Sequence, residues 1–258
     1  MTFKNILLQA IKPKRFFVML KKVLFRIFDE KGLISNDENL KWIKKNCISF
    51  ELFAKKLDSN LWTHSISSCH KIKEDSIYKL KEINYDLGGG GFYPLIFFIV
   101  KYSKPKVIVE TGVAAGFSSY AILKAIDENK SGKLYSSDFP YFRMPKPERF
   151  IGIIIPEYLK KHWELFIEGD DINLPLISKK INNIDIFHYD SDKSYTGRKN
   201  SLLSLKKNIN SDTIIIMDDI QDNSFFYDYV MKLDNSKWYI FKFEGKYIGV
   251  VWDTKLNR

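Results

Sequence analysis

Apolar side chains recur at three- and four-residue steps through Phe16, Phe17, Leu20, Val23, Leu24, Ile27 and Phe28, the spacing of a single helix face. Lys14, Arg15, Lys21, Lys22 and Arg26 fall on the other side, Pro13 suits the start and Gly32 follows as a stop. The pattern predicts a basic amphipathic helix over residues 13–30. Such a helix can lie on an anionic membrane, dock on a second subunit or partner, or pack its stripe onto its own domain. Residues 35–86 read as further helix with polar breaks, for example Leu40–Leu57 and Ser76–Ile83.

After Gly88–Gly91 the rhythm becomes an alternation of short β-rich runs and helical stretches. The runs are Val107–Glu110, Lys133–Ser137, Glu164–Glu168, Asp185–Tyr189 and Thr213–Met217. Helical periodicity separates them at Ser118–Ile126, Ile172–Ile181, Arg198–Lys207 and Phe225–Leu233. Trp238–Phe243 and Tyr247–Trp252 flank Glu244-Gly245-Lys246, a Gly turn that predicts a closing antiparallel hairpin. The expected fold is α/β: a doubly wound, Rossmann-like, seven-stranded and mainly parallel sheet ending in that hairpin. Residues 1–85 form a helical N-terminal extension in this reading, and 86–258 the α/β domain. Ligands of such sheets bind beyond the carboxyl ends of the strands, so the residues after each strand should hold the chemistry.

The 258 residues carry a net charge of +10, which taken whole suggests nucleic acid or a membrane surface. Its distribution changes that picture. Residues 1–30 hold a net +5, residues 31–86 a net +2, and the remaining 172 positions only +3. No specific nucleic acid is therefore expected at the α/β domain. No run of apolar residues is long enough to span a bilayer, and a secretory signal is not expected, since Lys21 and Lys22 interrupt the N-terminal apolar run. Two cysteines make no disulfide framework, so a cytoplasmic location is expected, peripheral to the inner membrane face if the N-terminal helix binds lipid. Cys47, His64, Cys69 and His70 lack the paired spacing of a zinc site.

The first strand runs into Glu110-Thr-Gly112-Val-Ala-Ala-Gly116-Phe-Ser118. Glycines there permit a tight turn and close approach of a ligand to the main chain at a helix N-terminus. Their G-x-x-x-G spacing is not the G-x-G-x-x-G of dinucleotide folds, which disfavours a nicotinamide dehydrogenase. Asp138 ends the second strand, where a carboxylate can accept both hydroxyls of a ribose or simply cap a turn. Gly169-Asp170 follows the third strand. Asp190 follows the fourth, and Asp218-Asp219 the fifth. Adjacent strands bring these last three carboxylates together, which suits a hard divalent cation; alternatively, Asp218 or Asp219 caps the next helix.

In combination these residues resemble a class I S-adenosylmethionine-dependent methyltransferase, and more narrowly the catechol-O-methyltransferase-like and cephalosporin-hydroxylase-like O-methyltransferases of bacteria. The resemblance covers residues 86–253. It implies that Glu110, Gly112, Gly116 and Ser118 hold the methionine end of S-adenosyl-L-methionine, that Asp138 takes the ribose diol, and that Asp170 lies by the adenine. It also implies Asp190, Asp218 and Asp219 as ligands of Mg²⁺ or another divalent cation. Lys193 stands three residues after Asp190, the spacing of the general base in catechol enzymes; the competing reading is a surface lysine paired with Asp192. Asp219 replaces the asparagine that catechol enzymes carry there.

The implied reaction is methylation of a hydroxyl on a small molecule or glycan. A metal-independent methyltransferase for another acceptor, RNA included, and a non-catalytic cofactor-binding protein are the alternatives. The N-P-P-Y or D-P-P-Y run of amino-methylating enzymes is missing after the fourth strand. Phe139–Trp163 is too long for a simple connection and is expected to wall the acceptor site, Arg143 included. A homo-oligomer is compatible with this reading.

Overall fold

The computed structural model describes residues 16–20, 28–81, 83, 87, 89–141, 144–233 and 237–254. Residues 16–20 are helical, as the N-terminal pattern predicts, whereas Phe28–Glu30 are not. The rest of the expected helix lies outside the described residues, as does Arg143.

Two helices follow, α1 (Asn36–Asn46) and α2 (Phe50–Leu80), then α3 (Tyr93–Ser103). The alternating region supplies β1 (Val107–Thr111), α4 (Phe117–Asn129), β2 (Lys133–Ser137), β3 (Trp163–Phe166), α5 (Asp170–Lys180) and β4 (Ile186–Tyr189). It continues through α6 (Tyr195–Leu205), β5 (Ile214–Met217), α7 (Phe225–Val230), β6 (Trp238–Phe243) and β7 (Lys246–Val251). The seven strands form one sheet in the order β3-β2-β1-β4-β5-β7-β6. All neighbours are parallel except at β7, which runs antiparallel to both β5 and β6.

Both faces of the sheet are covered, which is why β4 and β5 are buried along their whole length and read as unbroken apolar runs. Ile108, Ile186, Ile214 and Ile216 face a core shared with α2, α3 and α4. Val109, Phe187, Ile215 and Met217 face the opposite core, shared with α1, α5, α6 and α7.

Leu40–Leu57 is not the single helix that its pattern predicts. The chain breaks at Cys47–Ser49, where the Ile48 N–H donates to the Ile240 carbonyl of β6 at 2.9 Å. Ser35 caps α1 through a reciprocal bond with Glu38, and Ser49 restarts the helix by accepting from the Leu52 N–H. The start of the predicted Ser76–Ile83 helix, Ser76–Leu80, is the end of α2 rather than a separate element. Phe50 and Phe53 of α2 pack on Phe241, so this segment has no core apart from that of the sheet.

Residues 28–33 are fastened to the head of α6 and to α7. Asp29 accepts the first N–H groups of α6, from Tyr195 at 2.7 Å and Thr196 at 2.9 Å. Glu30 pairs with Lys199 at 2.7 Å, and the Leu33 N–H donates to buried Asp228 at 3.0 Å. Among the described residues no helix is long and apolar enough to cross a membrane. Cys47, His64, Cys69 and His70 do not converge; His64 pairs with Glu128 and His70 with Glu74.

Candidate active site

Parallel register places three polar side chains in a row beneath the carboxyl edge of the sheet. Glu110 of β1 stands opposite Ser136 of β2 on one side and His188 of β4 on the other. Glu110 is fully buried, and all its oxygens are engaged by protein. Ser118 donates to one oxygen at 2.7 Å, with the His188 Nδ1 3.3 Å away. Ser119 and Ser136 donate to the other at 2.5 and 3.0 Å. Burial works against charge on His188, but the Glu110 carboxylate outweighs it and holds the imidazole above its ordinary pKa. Glu110 and Ser118 are thus committed to one another, and together they fix the start of α4 under the glycine loop.

Between them the chain turns sharply. Gly112 has φ +80°, and a Cβ there would lie 2.0 Å from the Asp190 carbonyl oxygen. Only glycine lets the loop after β1 pass this close to the end of β4. The next two N–H groups, Val113 and Ala114, donate to one oxygen of Asp138 at 3.1 and 2.8 Å, while the other accepts from Phe139 at 2.6 Å. Burial still pushes Asp138 up to about 6, against the pull of these amide bonds. Gly116 caps α4 at φ +105°, within contact of Gly152. Residues 144–163 fold back over this loop: the Gly152 N–H donates to the Ala114 carbonyl at 2.9 Å and the Ile154 N–H to the Ala115 carbonyl at 3.2 Å. Asp170, at the head of α5, accepts from Ser137 and Ser191, both at 2.5 Å.

Beyond β4 and β5, Asp190, Asp218 and Asp219 bring one oxygen each within 4.8 Å of one another. Lys193 Nζ bonds Asp190 and lies 3.1 Å from Asp219, so its carboxylate partners are these two rather than Asp192. Lys246, at the start of β7, lies 3.4 Å from Asp219 and 3.7 Å from Asp218. Gln221 donates to Asp219 at 3.1 Å. Asp219 itself sits in the left-handed region at φ +53°, its carbonyl accepting from the buried Arg198 at 3.0 Å. Neither oxygen of Asp218 has a hydrogen-bond donor, although its side chain is only 1% exposed.

The electrostatics follow from this crowding. Burial, then the neighbouring Asp190 charge, raises Asp218 above the carboxylate range. Burial pushes Asp219 the same way, but Lys193 overrides it and the net shift is downward. Burial also works against the Lys193 charge, yet the three aspartates hold it above the ordinary lysine value. A buried carboxylate without donors costs about 1–3 kcal/mol. Asp218→Asn should therefore raise the melting temperature of the protein in EDTA, measured by calorimetry; a lowered melting temperature would mean that the carboxylate is already well compensated.

Residues 109–220, which span the site from β1 to Asp219 but not Gln221 or Lys246, match the model of a family described as a methyltransferase domain. That stretch of the chain is similar to a methyltransferase domain.

No curated protein matches the chain, but solved structures share its fold. An O-methyltransferase from Bacillus cereus in complex with SAH superposes with a TM-score of 0.55 at 14% identity, over 70% of this chain and 90% of that one. The O-methyltransferase TomG from Streptomyces achromogenes, involved in tomaymycin synthesis and bound to SAM, gives 0.56 at 12% identity, over 72% and 89%. The methyltransferase PaMTH1 from Podospora anserina, bound to SAH, gives 0.50 at 14%, over 87% and 100%. At these identities the likeness concerns the fold.

The site also contains residues that strand-end reading passes over: Ser119, Ser136, His188, Arg198 and Lys246. His188 and Ser136 carry a signal, since each is polar in an apolar strand at the register of Glu110. Lys246 carries one only after β7 is placed antiparallel to β5. Met217 then faces Gly249, which puts Lys246 three residues further on, over Asp218 and Asp219.

Proposed function

We propose that the protein is an S-adenosylmethionine-dependent O-methyltransferase whose cofactor lies across the carboxyl ends of β1 and β2 and whose acceptor hydroxyl is held beside Asp190, Asp218 and Asp219. The observation that carries the acceptor side is Asp218: a buried carboxylate with no donor, between two others, is what a divalent cation would complete. Bound there, the cation supplies the positive charge that lowers an acceptor hydroxyl's pKa and fixes its angle to the methyl group. The oxygen-only donor set fits Mg²⁺.

The chain's own residues have separable parts in this reading. Asp138 organises the glycine loop through the Val113 and Ala114 amides and faces the ribose hydroxyls. Glu110 and Ser118 support the methionine end indirectly, by fixing the loop that carries Gly112 and Gly116. Asp170 borders the adenine end from the head of α5. Lys193 is the candidate to take the acceptor's proton; it must first be neutral, and Asp190 and Asp219 oppose that unless their charge is engaged elsewhere.

A second reading has a specific observation behind it. Lys193 and Lys246 already place two ammonium groups among the three carboxylates, so the cluster could position an acceptor without a metal. Transfer of labelled methyl from S-adenosylmethionine separates the two. Turnover lost in EDTA and restored by Mg²⁺ supports the metal, and turnover indifferent to EDTA supports the lysines. The acceptor proposed is a hydroxyl on a small molecule or a sugar.

The Asp138 proposal predicts a pH dependence. Its free-protein pKa of about 6 means that the carboxylate is ionised above that pH and neutral below it. Cofactor affinity should hold near pH 7–8 and fall as pH drops through about 6, because a neutral carboxyl accepts the ribose hydroxyls poorly. Asp138→Ala should weaken binding by roughly 1–3 kcal/mol and flatten the pH profile; unchanged affinity would refute the ribose role.

A further inference from the structure

The N-terminal helical turn shows its apolar side chains to solvent in a way that its own domain does not account for. Val18 is the one buried residue of 16–20, and it packs where a Cβ on Gly169 would lie 3.1 Å from its Cγ1. Phe16, Phe17 and Leu20 are exposed at 47, 68 and 44%. Phe28 and Leu33 are more exposed still. Five large apolar side chains within eighteen residues thus face away from the domain. Val18 on one side and Asp29 on the other hold them at the rim of the crevice, between the end of β3 and the head of α6.

The charge of the sequence that carries them selects the occupant. The first thirty residues hold seven basic and two acidic side chains, half of the whole chain's excess. A second copy of so basic a segment would be repelled, whereas an anionic lipid surface attracts the charge and accepts the phenylalanines at its acyl boundary. We infer that the exposed apolar side chains of residues 16–20 and 28–33 bind the protein peripherally to an anionic bilayer, which brings the rim of the active-site crevice to the lipid surface.

The test is sedimentation of the full chain with vesicles, and it needs no methyl transfer. Phosphatidylcholine vesicles carrying about one-third phosphatidylglycerol should retain the protein at least tenfold better than phosphatidylcholine alone, and high salt should release it. The triple substitution Phe16→Ser, Phe17→Ser, Phe28→Ser should lose that binding while keeping the far-ultraviolet circular dichroism of the parent. Equal, negligible retention of the unmutated protein on both vesicles would overturn the inference. So would a concentration-dependent dimer in vesicle-free solution that the triple substitution abolishes, since the face would then belong to a second copy. Because the vesicle arms use the unmutated protein, a misfolded variant leaves the decision intact.

Discussion

Glu110→Ala should destabilise the protein by about 3–5 kcal/mol, a large share of the 5–15 kcal/mol that holds a domain folded. The substitution removes the common acceptor of Ser118, Ser119 and Ser136 and the counter-charge of His188, all of them buried. Three hydroxyls can rotate in search of other acceptors, but the imidazole must lose its proton or remain an unpaired buried charge. Glu110→Gln keeps the shape and one acceptor oxygen, so its cost should be nearer 1–3 kcal/mol. Urea unfolding measures both. An alanine variant within about 1 kcal/mol of the parent would mean that the row does not fix the start of α4.

The second large effect concerns Asp190. Asp190→Ala should lower methyl transfer on the order of 10³-fold, about 4 kcal/mol of barrier, while cofactor affinity stays within a few-fold. The asymmetry follows from position. Asp190 touches Lys193 and lies beside Asp218 and Asp219, whereas towards the glycine loop it presents its carbonyl, 2.0 Å from where a Cβ on Gly112 would lie, and any residue would supply that group. Full activity in the alanine variant would remove Asp190 from the acceptor site. Weakened cofactor binding alone would assign it to the cofactor instead.

Much of this arrangement is written in the strands. β1, β2, β4 and β5 end within a residue of the ends of the β-rich runs read from the sequence, because short buried strands carry polar residues mainly towards their tips. That is why Asp138, Asp190, Asp218 and Asp219 could be placed at one edge before any coordinates. The helix α3 was illegible for the converse reason. Every residue from Tyr93 to Val100 is buried, so no polar face marks a helical period. The break between α1 and α2 depends on a contact with β6 almost two hundred residues away, which no local pattern encodes. The direction of Glu110 was likewise hidden: its position at a strand end suggested a ligand contact, and only the register of Ser136 and His188 shows what it bonds. Lys193 is a candidate base only through the resemblance to the catechol enzymes, and the charge held on it depends also on Asp219, which arrives from another strand.

Calorimetric titration of the purified protein with S-adenosylmethionine, in Mg²⁺ and again in EDTA, tests the central claim most directly. The account predicts saturable one-to-one binding in both buffers, weakened by Asp138→Ala and nearly unchanged by Asp190→Ala. No binding in either buffer would contradict it.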